Sequence, residues 1–245
     1  MNLKYIINPK TNKKYSILSK KGKKILKKYI TIFNGGMESQ DPKTNLTTTD
    51  VDTEVLYLSF DIEADGDSPV LNSMLSIGIY GFDKNGKGVI EFQRNMYPHP
   101  SKVVDERTIN EFWKKNPEAW EFVKTNQITA EQCMKEIADM YTKLKSKFKK
   151  IVWVARPAAY DWQWLNNYYK EFGPKDKPNI GFKADCISTM SKVYAKIKNL
   201  NKQQLEEEWK EITEGLEITH NSLDDAKYQS ALYLGLWKRL LNLPN

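Results

Sequence analysis

The chain has 245 residues, 40% of them hydrophobic and 12% aromatic, enough to core one domain with an appendage and to exclude wholesale disorder. Lys and Arg number 38 against 31 Asp and Glu, a net charge of +7, and no run reaches the ~18 apolar residues that a membrane-spanning helix needs. Two cysteines (Cys133, Cys186) and two histidines (His99, His220) are too few for a zinc finger or a disulfide framework. The N-terminus, MNLKYIINPKTNKKYS, has neither an apolar run nor a small-residue cleavage site, so the protein is expected inside the cell (cytoplasm or nucleus), not secreted.

The charge is unevenly spread. Residues 1–30 hold ten lysines and no acid, which leaves 28 basic against 31 acidic groups for the remaining 215 residues. Residues 1–34 therefore read as a basic extension. Within it, Ile17, Leu18, Ile25, Leu26, Tyr29 and Ile30 form a sparse apolar stripe if residues 16–30 are helical. Residues 35–53 are polar, aperiodic and rich in Gly, Thr and Asp, a linker pattern. Residues 54–245 form the expected domain.

That domain opens with strand patterns at Val55–Ile62, Met74–Phe82 and Gly88–Tyr97, with Asp83-Lys84-Asn85-Gly86 as a hairpin turn between the last two. Helical patterns follow at Asp105–Lys114, from Pro117, and from Thr129 to about Phe148, where Thr129 and Gln132 have capping-box spacing. Lys150–Ala155 reads as a buried strand, then a helix from about Asp161 to Phe172, and a short fifth strand over Phe182–Cys186. Helices at Ser188–Lys198, Lys202–Ile212 and Leu223 to about Leu241 complete the chain. Three meandering strands followed by alternating strands and helices imply an α/β fold with a mixed five-stranded sheet flanked by helices.

Acids mark the ends of these elements. Asp61 and Glu63 are two apart at the end of the first strand, so their carboxylates share one face while Ile62 points to the other. Like charges on a half-buried strand repel, and a bound divalent cation with hard oxygen ligands, Mg²⁺ or Mn²⁺, would remove that cost. Taken singly, D-x-E reads more readily as an exposed strand end with two solvated acids, and Asp161 as an ordinary helix N-cap. His220-Asn221-Ser222-Leu223-Asp224-Asp225-Ala226 sets a loop histidine five residues ahead of an aspartate at a helix start.

In this order and spacing (Asp61-x-Glu63, Asp161 after a buried strand, His220-x-x-x-x-Asp225) the chain resembles the DEDD family of 3′–5′ exonucleases, in its DEDDh branch. The resemblance covers residues 55–241. Leu75-Ser76-Ile77-Gly78 is similar to that family's second strand, and Thr108, Phe112-Trp113 and Asn116-Pro117-Glu118-Ala119-Trp120 to a signature of certain phage and bacterial members. The chain departs from the pattern at Arg156-Pro157-Ala158-Ala159-Tyr160-Asp161, where many relatives carry His-Asn, and Arg156 is the expected phosphate contact in their place. The resemblance implies a ribonuclease H-like fold. It also implies hydrolysis of single-stranded DNA or RNA 3′ ends to nucleoside 5′-monophosphates with two Mg²⁺ (or Mn²⁺).

In that scheme Asp61 bridges both ions, Glu63 and Asp225 hold the one beside the nucleophile, Asp161 anchors the other, and His220 is the general base. Asp224 is the rival of Asp225, and the motif register favours Asp225. Family likeness also assigns Ala64, Asp65, Met74 and Leu75 to a cradle for the terminal nucleotide. Trp162 and Trp164 flank Asp161 as candidates for base stacking, one of them expected in the core. Asp67, and the carboxylate of Asp65, read as loop acids.

DNA against RNA stays open at this level, as do protein partners. A catalytically silent nucleic-acid-binding module on the same fold is the competing reading of the domain. For the head, Lys20, Lys21, Lys23, Lys24, Lys27 and Lys28 fit a sequence-independent phosphate tether, a localisation-like address or a solvated tail.

Overall fold

The structure, a computed structural model, describes residues 5–7, 14–16, 19, 21, 23 and 51–242. The chain separates into two compact units, Met1–Asp41 and Pro42–Asn245. In the first, β1 (Tyr5–Ile7) and β2 (Lys14–Ser16) pair antiparallel with Ile6 opposite Tyr15. Ser16, expected to open a helix, therefore ends a strand. Lys21 and Lys23 have helical backbone, and Lys23 N–H bonds the Ser19 carbonyl. Lys20, Lys24, Lys27 and Lys28, with most of the expected helix and of the linker, lie outside the described residues.

The second unit is built on a five-stranded mixed sheet of order β5-β4-β3-β6-β7. β3 (Val55–Ala64) lies in the middle, antiparallel to β4 (Met74–Asp83) and parallel to β6 (Lys150–Ala155). β4 pairs antiparallel with β5 (Gly88–Asn95), and β6 parallel with β7 (Asp185–Cys186). The turn between β4 and β5 closes through Gly86 N–H to the Asp83 carbonyl, with Gly86 at φ +85, a conformation open to glycine. Val51–Thr53, at the end of the expected linker, are tied to this unit: Asp52 pairs with Lys84 at 2.6 Å, and Thr53 C=O accepts from Lys149 N–H.

The helices are α1 (Glu106–Glu111), α2 (Pro117–Val123), α3 (Ala130–Lys145), α4 (Ala158–Phe172), α5 (Ile187–Lys198), α6 (Lys202–Ile212) and α7 (Ser222–Leu241). α3 buries Cys133, Met134, Ile137, Tyr141 and Leu144, the 3–4 spacing of one helical face. Thr129 caps it by accepting from Gln132 N–H, but the Gln132 side chain reaches forward to Glu136, so the expected capping box is half formed. The fifth strand is shorter than its sequence pattern. The Ile180 carbonyl is engaged by the Trp153 indole, Gly181 turns the chain at φ +98, and Phe182 is left 88% exposed.

Alternation along β3 divides the core in two. Leu56, Leu58, Phe60 and Ile62 face α3 and α4 in one apolar cluster. On the opposite face Tyr57, Phe82 and Val154 pack with Leu232, Tyr233 and Leu236 of α7. That second face changes character along its length. Toward the end of β3 it carries Ser59, Asp61 and Glu63, and the half of α7 lying over it is polar, with Ser222, Asp225 and Gln229 buried.

Candidate active site

Asp61 and Glu63 share the α7 face of β3 as alternation requires, and Ile62 points into the apolar cluster behind them. Their partners across the antiparallel ladder are Gly78 and Ser76. These two seat the helix above. A Cβ on Gly78 would lie 2.2 Å from Leu223 N, and the Ser76 and Ser222 hydroxyls share a hydrogen bond of 2.7 Å. Gly78 is thus a close-approach glycine, and Ser222 a buried polar contact that alanine would not make.

The segment ahead of α7 is folded around one carboxylate. Asp225 accepts from Thr219 N–H (2.8 Å) and His220 N–H (3.1 Å), while Asn221 caps the helix by accepting from Leu223 and Asp224 N–H. His220 is held in the left-handed region at φ 59. Its ring lies edge-on to Phe112, 4.7 Å between centroids, and its Nδ1 is 3.8 Å from Glu63 Oε1. Asp225 is buried and Asp224 exposed toward a separate groove, so the register that favours Asp225 agrees with the packing.

Asp161 arrives from the other side. α4 starts at Ala158, three residues earlier than expected, with Pro157 in the cap position, so Asp161 lies inside the first turn and is no N-cap. It belongs to the buried stripe Asp161, Trp164, Leu165 and Tyr168, and is 2% exposed. Its Oδ2 is buried with no hydrogen-bond partner. Asp61 Oδ1 accepts from Gln229 Nε2 at 2.8 Å. Gln229 is a site residue the sequence reasoning missed. Its signal is position, one helical turn beyond Asp225 on the same face.

These groups line a pocket of about 190 Å³ together with Arg156, Tyr160, Ile218 and Tyr228. Burial raises the Asp61 and Glu63 carboxyls well above the ordinary range, reinforced for Asp61 by Asp161 and Glu63 and for Glu63 by Asp225 and Asp161. Burial also lifts Asp161 to about 7, against the pull of an Ile62 backbone contact, and raises Asp225 against its backbone donors. Asp161 in turn helps push Tyr160, itself mainly desolvated, to about 12. So many desolvated acids around one space fit a hard divalent cation. Glu63, His220 and Asp225 each offer one ligand atom within 4.8 Å of the others, and the unpartnered Asp161 oxygen is a further donor.

The structure does not bring the remaining predicted residues into this pocket. The Trp162 ring packs on Phe60 and Trp153 behind the sheet, and Trp164 is fully buried, so both tryptophans serve the core. The side chains of Ala64, Met74 and Leu75 are also buried. Ala64 C=O accepts from the Trp113 indole, and Met74 N–H donates to the Tyr168 hydroxyl. Asp65, read as a loop acid, is buried and accepts from Ser73 N–H, which pins the turn after β3. Asp67 is exposed and pairs with Arg107 at 3.2 Å.

A family model described as the 3′-5′ exoribonuclease Rv2179c-like domain matches residues 57–237. Among solved structures, the RNase domain of yeast Pop2 aligns over 76% of this chain and 78% of its own, at 16% identity and a TM-score of 0.53. S. pombe Pop2p in its Mg²⁺- and Mn²⁺-bound form aligns over 76% and 84%, at 12% identity and 0.51. E. coli exonuclease I, zinc-bound and complexed with single-stranded DNA, aligns over 77% of this chain and 42% of its own, at 14% identity and 0.55. At such identities the likeness is one of fold, and it bears out the ribonuclease H-like architecture. No curated protein matches the chain in sequence.

Proposed function

The chain belongs to the Rv2179c-like 3′-5′ exoribonuclease domain family and is a 3′-5′ exonuclease, and on that footing we propose that it shortens single-stranded RNA from the 3′ end, releasing nucleoside 5′-monophosphates. The family's description supports RNA over DNA. One observation carries the mechanism. Four carboxylates and one histidine, from three separate stretches of chain, converge on a single pocket in which a buried Asp161 oxygen has no partner.

Asp61, Glu63, Asp161 and Asp225 would hold two Mg²⁺ or Mn²⁺ ions. When bound, such ions supply Lewis-acid stabilisation of the charge that develops on phosphate and leaving oxygen. The chain's own groups do the rest. His220 takes a proton from the attacking water on a ring nitrogen, the general-base role for which an imidazole is suited. The water oxygen bonds to phosphorus and the P–O3′ bond breaks. The 3′-oxygen leaves with the electron pair and takes a proton from solvent to become the new 3′-hydroxyl of the shortened strand, and the terminal nucleotide departs as a 5′-monophosphate. Asp225 fixes the histidine segment through the Thr219 and His220 N–H groups, and Gln229 fixes the Asp61 carboxylate.

Time courses on matched 5′-labelled RNA and DNA single strands, with Mg²⁺, Mn²⁺ or EDTA, test this reading. We expect a ladder receding from the 3′ end of RNA, mononucleotide product, and no turnover in EDTA. Internal cuts, a preference for DNA, or activity indifferent to EDTA would each count against it.

A further inference from the structure

Arg156 is the one lysine or arginine among the residues lining the acidic pocket. A guanidinium beside Asp61, Glu63, Asp161 and Asp225 would ordinarily pair with one of them, since charge-assisted bidentate pairs are the strong ones. Here, among the described residues, no carboxylate oxygen lies within 4.0 Å of its nitrogens, and its guanidinium makes no hydrogen bond. It lies instead over the Trp209 ring, 4.4 Å from the centroid. The Trp209 indole N–H is itself buried without a partner, so no hydrogen bond of its own explains the placing of this ring. A ring face attracts a cation without occupying its N–H groups, and the fork of donors stays free.

Trp209 is on α6, the helix that leads into the His220 segment, and Gly235 of α7 lets α6 approach closely. A Cβ there would lie 2.3 Å from Ile212 Cγ2. We propose that Trp209 is a positioning residue for the reaction: it holds Arg156 over the pocket by its ring face, keeping the guanidinium unneutralised for an oxygen of the substrate's terminal phosphate. The inference rests on the exonuclease reading and extends it to a phosphate clamp built from two residues outside the acidic motifs. Arginine is suited to this role because its charge is permanent and its fork matches phosphate. Trp209 escaped the sequence reasoning because it is 53 positions from Arg156, on an element with no motif of its own.

The test uses the full chain in Mg²⁺, with steady-state cleavage of 5′-labelled RNA and, independently of turnover, calorimetric binding of adenosine 5′-monophosphate. Arg156→Gln should lower kcat/KM by about 10- to 100-fold, mostly through KM, and weaken mononucleotide binding similarly. Trp209→Leu should cost about 3- to 30-fold, and Trp209→Phe, which keeps a ring face, should recover most of that loss. In the Arg156→Gln background, Trp209→Leu should add less than twofold, because the cation it holds is gone. Three results would overturn the clamp: Arg156→Gln binding the mononucleotide as tightly as the unaltered chain, Trp209→Phe no better than Trp209→Leu, or additive losses in the double variant. If Asp61→Ala leaves cleavage intact while Arg156→Gln still weakens mononucleotide binding, the proposed catalysis fails and the clamp stands.

Discussion

The two faces of β3 are made from alternate residues of one ten-residue segment, and they do opposite things. Leu56, Leu58, Phe60 and Ile62 are buried among aliphatic and aromatic neighbours and stabilise the domain. Asp61 and Glu63, one Cβ away on the other face, are desolvated beside Asp161 and Asp225, which raises their pKa values and costs stability. α7 repeats the contrast along its length, with Asp225 and Gln229 near its start and Leu232, Tyr233 and Leu236 further on. A fold of this kind stores an unfavourable charge cluster at one end of a sheet because the apolar packing elsewhere outweighs it.

The sharpest way to break that contrast is Asp61→Ala. It should reduce RNA cleavage by ~10³-fold or more while leaving Tm equal or higher in EDTA, since a repelling acid is removed. Retained cleavage would end the assignment of Asp61. Its neighbour Phe60→Ala should do the reverse, costing about 3–5 kcal/mol of stability, or roughly 6–20 °C in Tm. A thermal melt unchanged by that substitution would mean the apolar face does not carry the fold. Gly78→Ala tests the seam between the two, because the added Cβ displaces the start of α7 and with it Asp225 and His220. Activity should fall about 10- to 100-fold with far-UV circular dichroism preserved.

pH offers a gentler probe. The acids have folded pKa values raised above the unfolded value of ~4, Asp161 to about 7, so the native state binds more protons than the unfolded chain. That contribution is complete below the unfolded value and is lost as pH climbs through the folded one. In EDTA, Tm of the unaltered chain should therefore decline between about pH 4 and 7 more steeply than Tm of Asp161→Asn. Equal slopes would show that the carboxyl is not raised. The smallest effect concerns the basic head, which we propose as a phosphate tether. Deleting residues 1–41 should weaken RNA binding severalfold at low salt and flatten its salt dependence, and an unaltered slope would refute the tether.

Much of the domain is written locally. Short apolar runs rich in β-branched and aromatic residues placed β3, β4 and β6 to within two residues, because strands packed beneath helices must be built from such residues. Asp61, Glu63, Asp161, His220 and Asp225 were legible only as a set, through their resemblance to a family pattern, and the structure brings them to one pocket. Less legible were residues whose meaning depends on what approaches them. Trp162 looks like a base-stacking residue beside Asp161, yet the register of α4 turns its ring onto Phe60 and Trp153. Asp65 looks like a turn acid and is buried to anchor Ser73. The 88% exposure of Phe182 follows from the Gly181 turn, which no hydrophobic pattern records.

The sequence by itself placed β3, with Asp61 and Glu63 on one of its faces, and the start of α7 to within a residue, since strand and helix patterns act over a few residues, and its family resemblance named the acids. Only the tertiary structure decided which surfaces meet. Gly78 and Ser76 admit the start of α7, Gln229 reaches Asp61 across 168 residues, and Trp209 comes to face Arg156. Those contacts join residues far apart in the chain, and their energies exist only once the apolar faces of sheet and helices have packed.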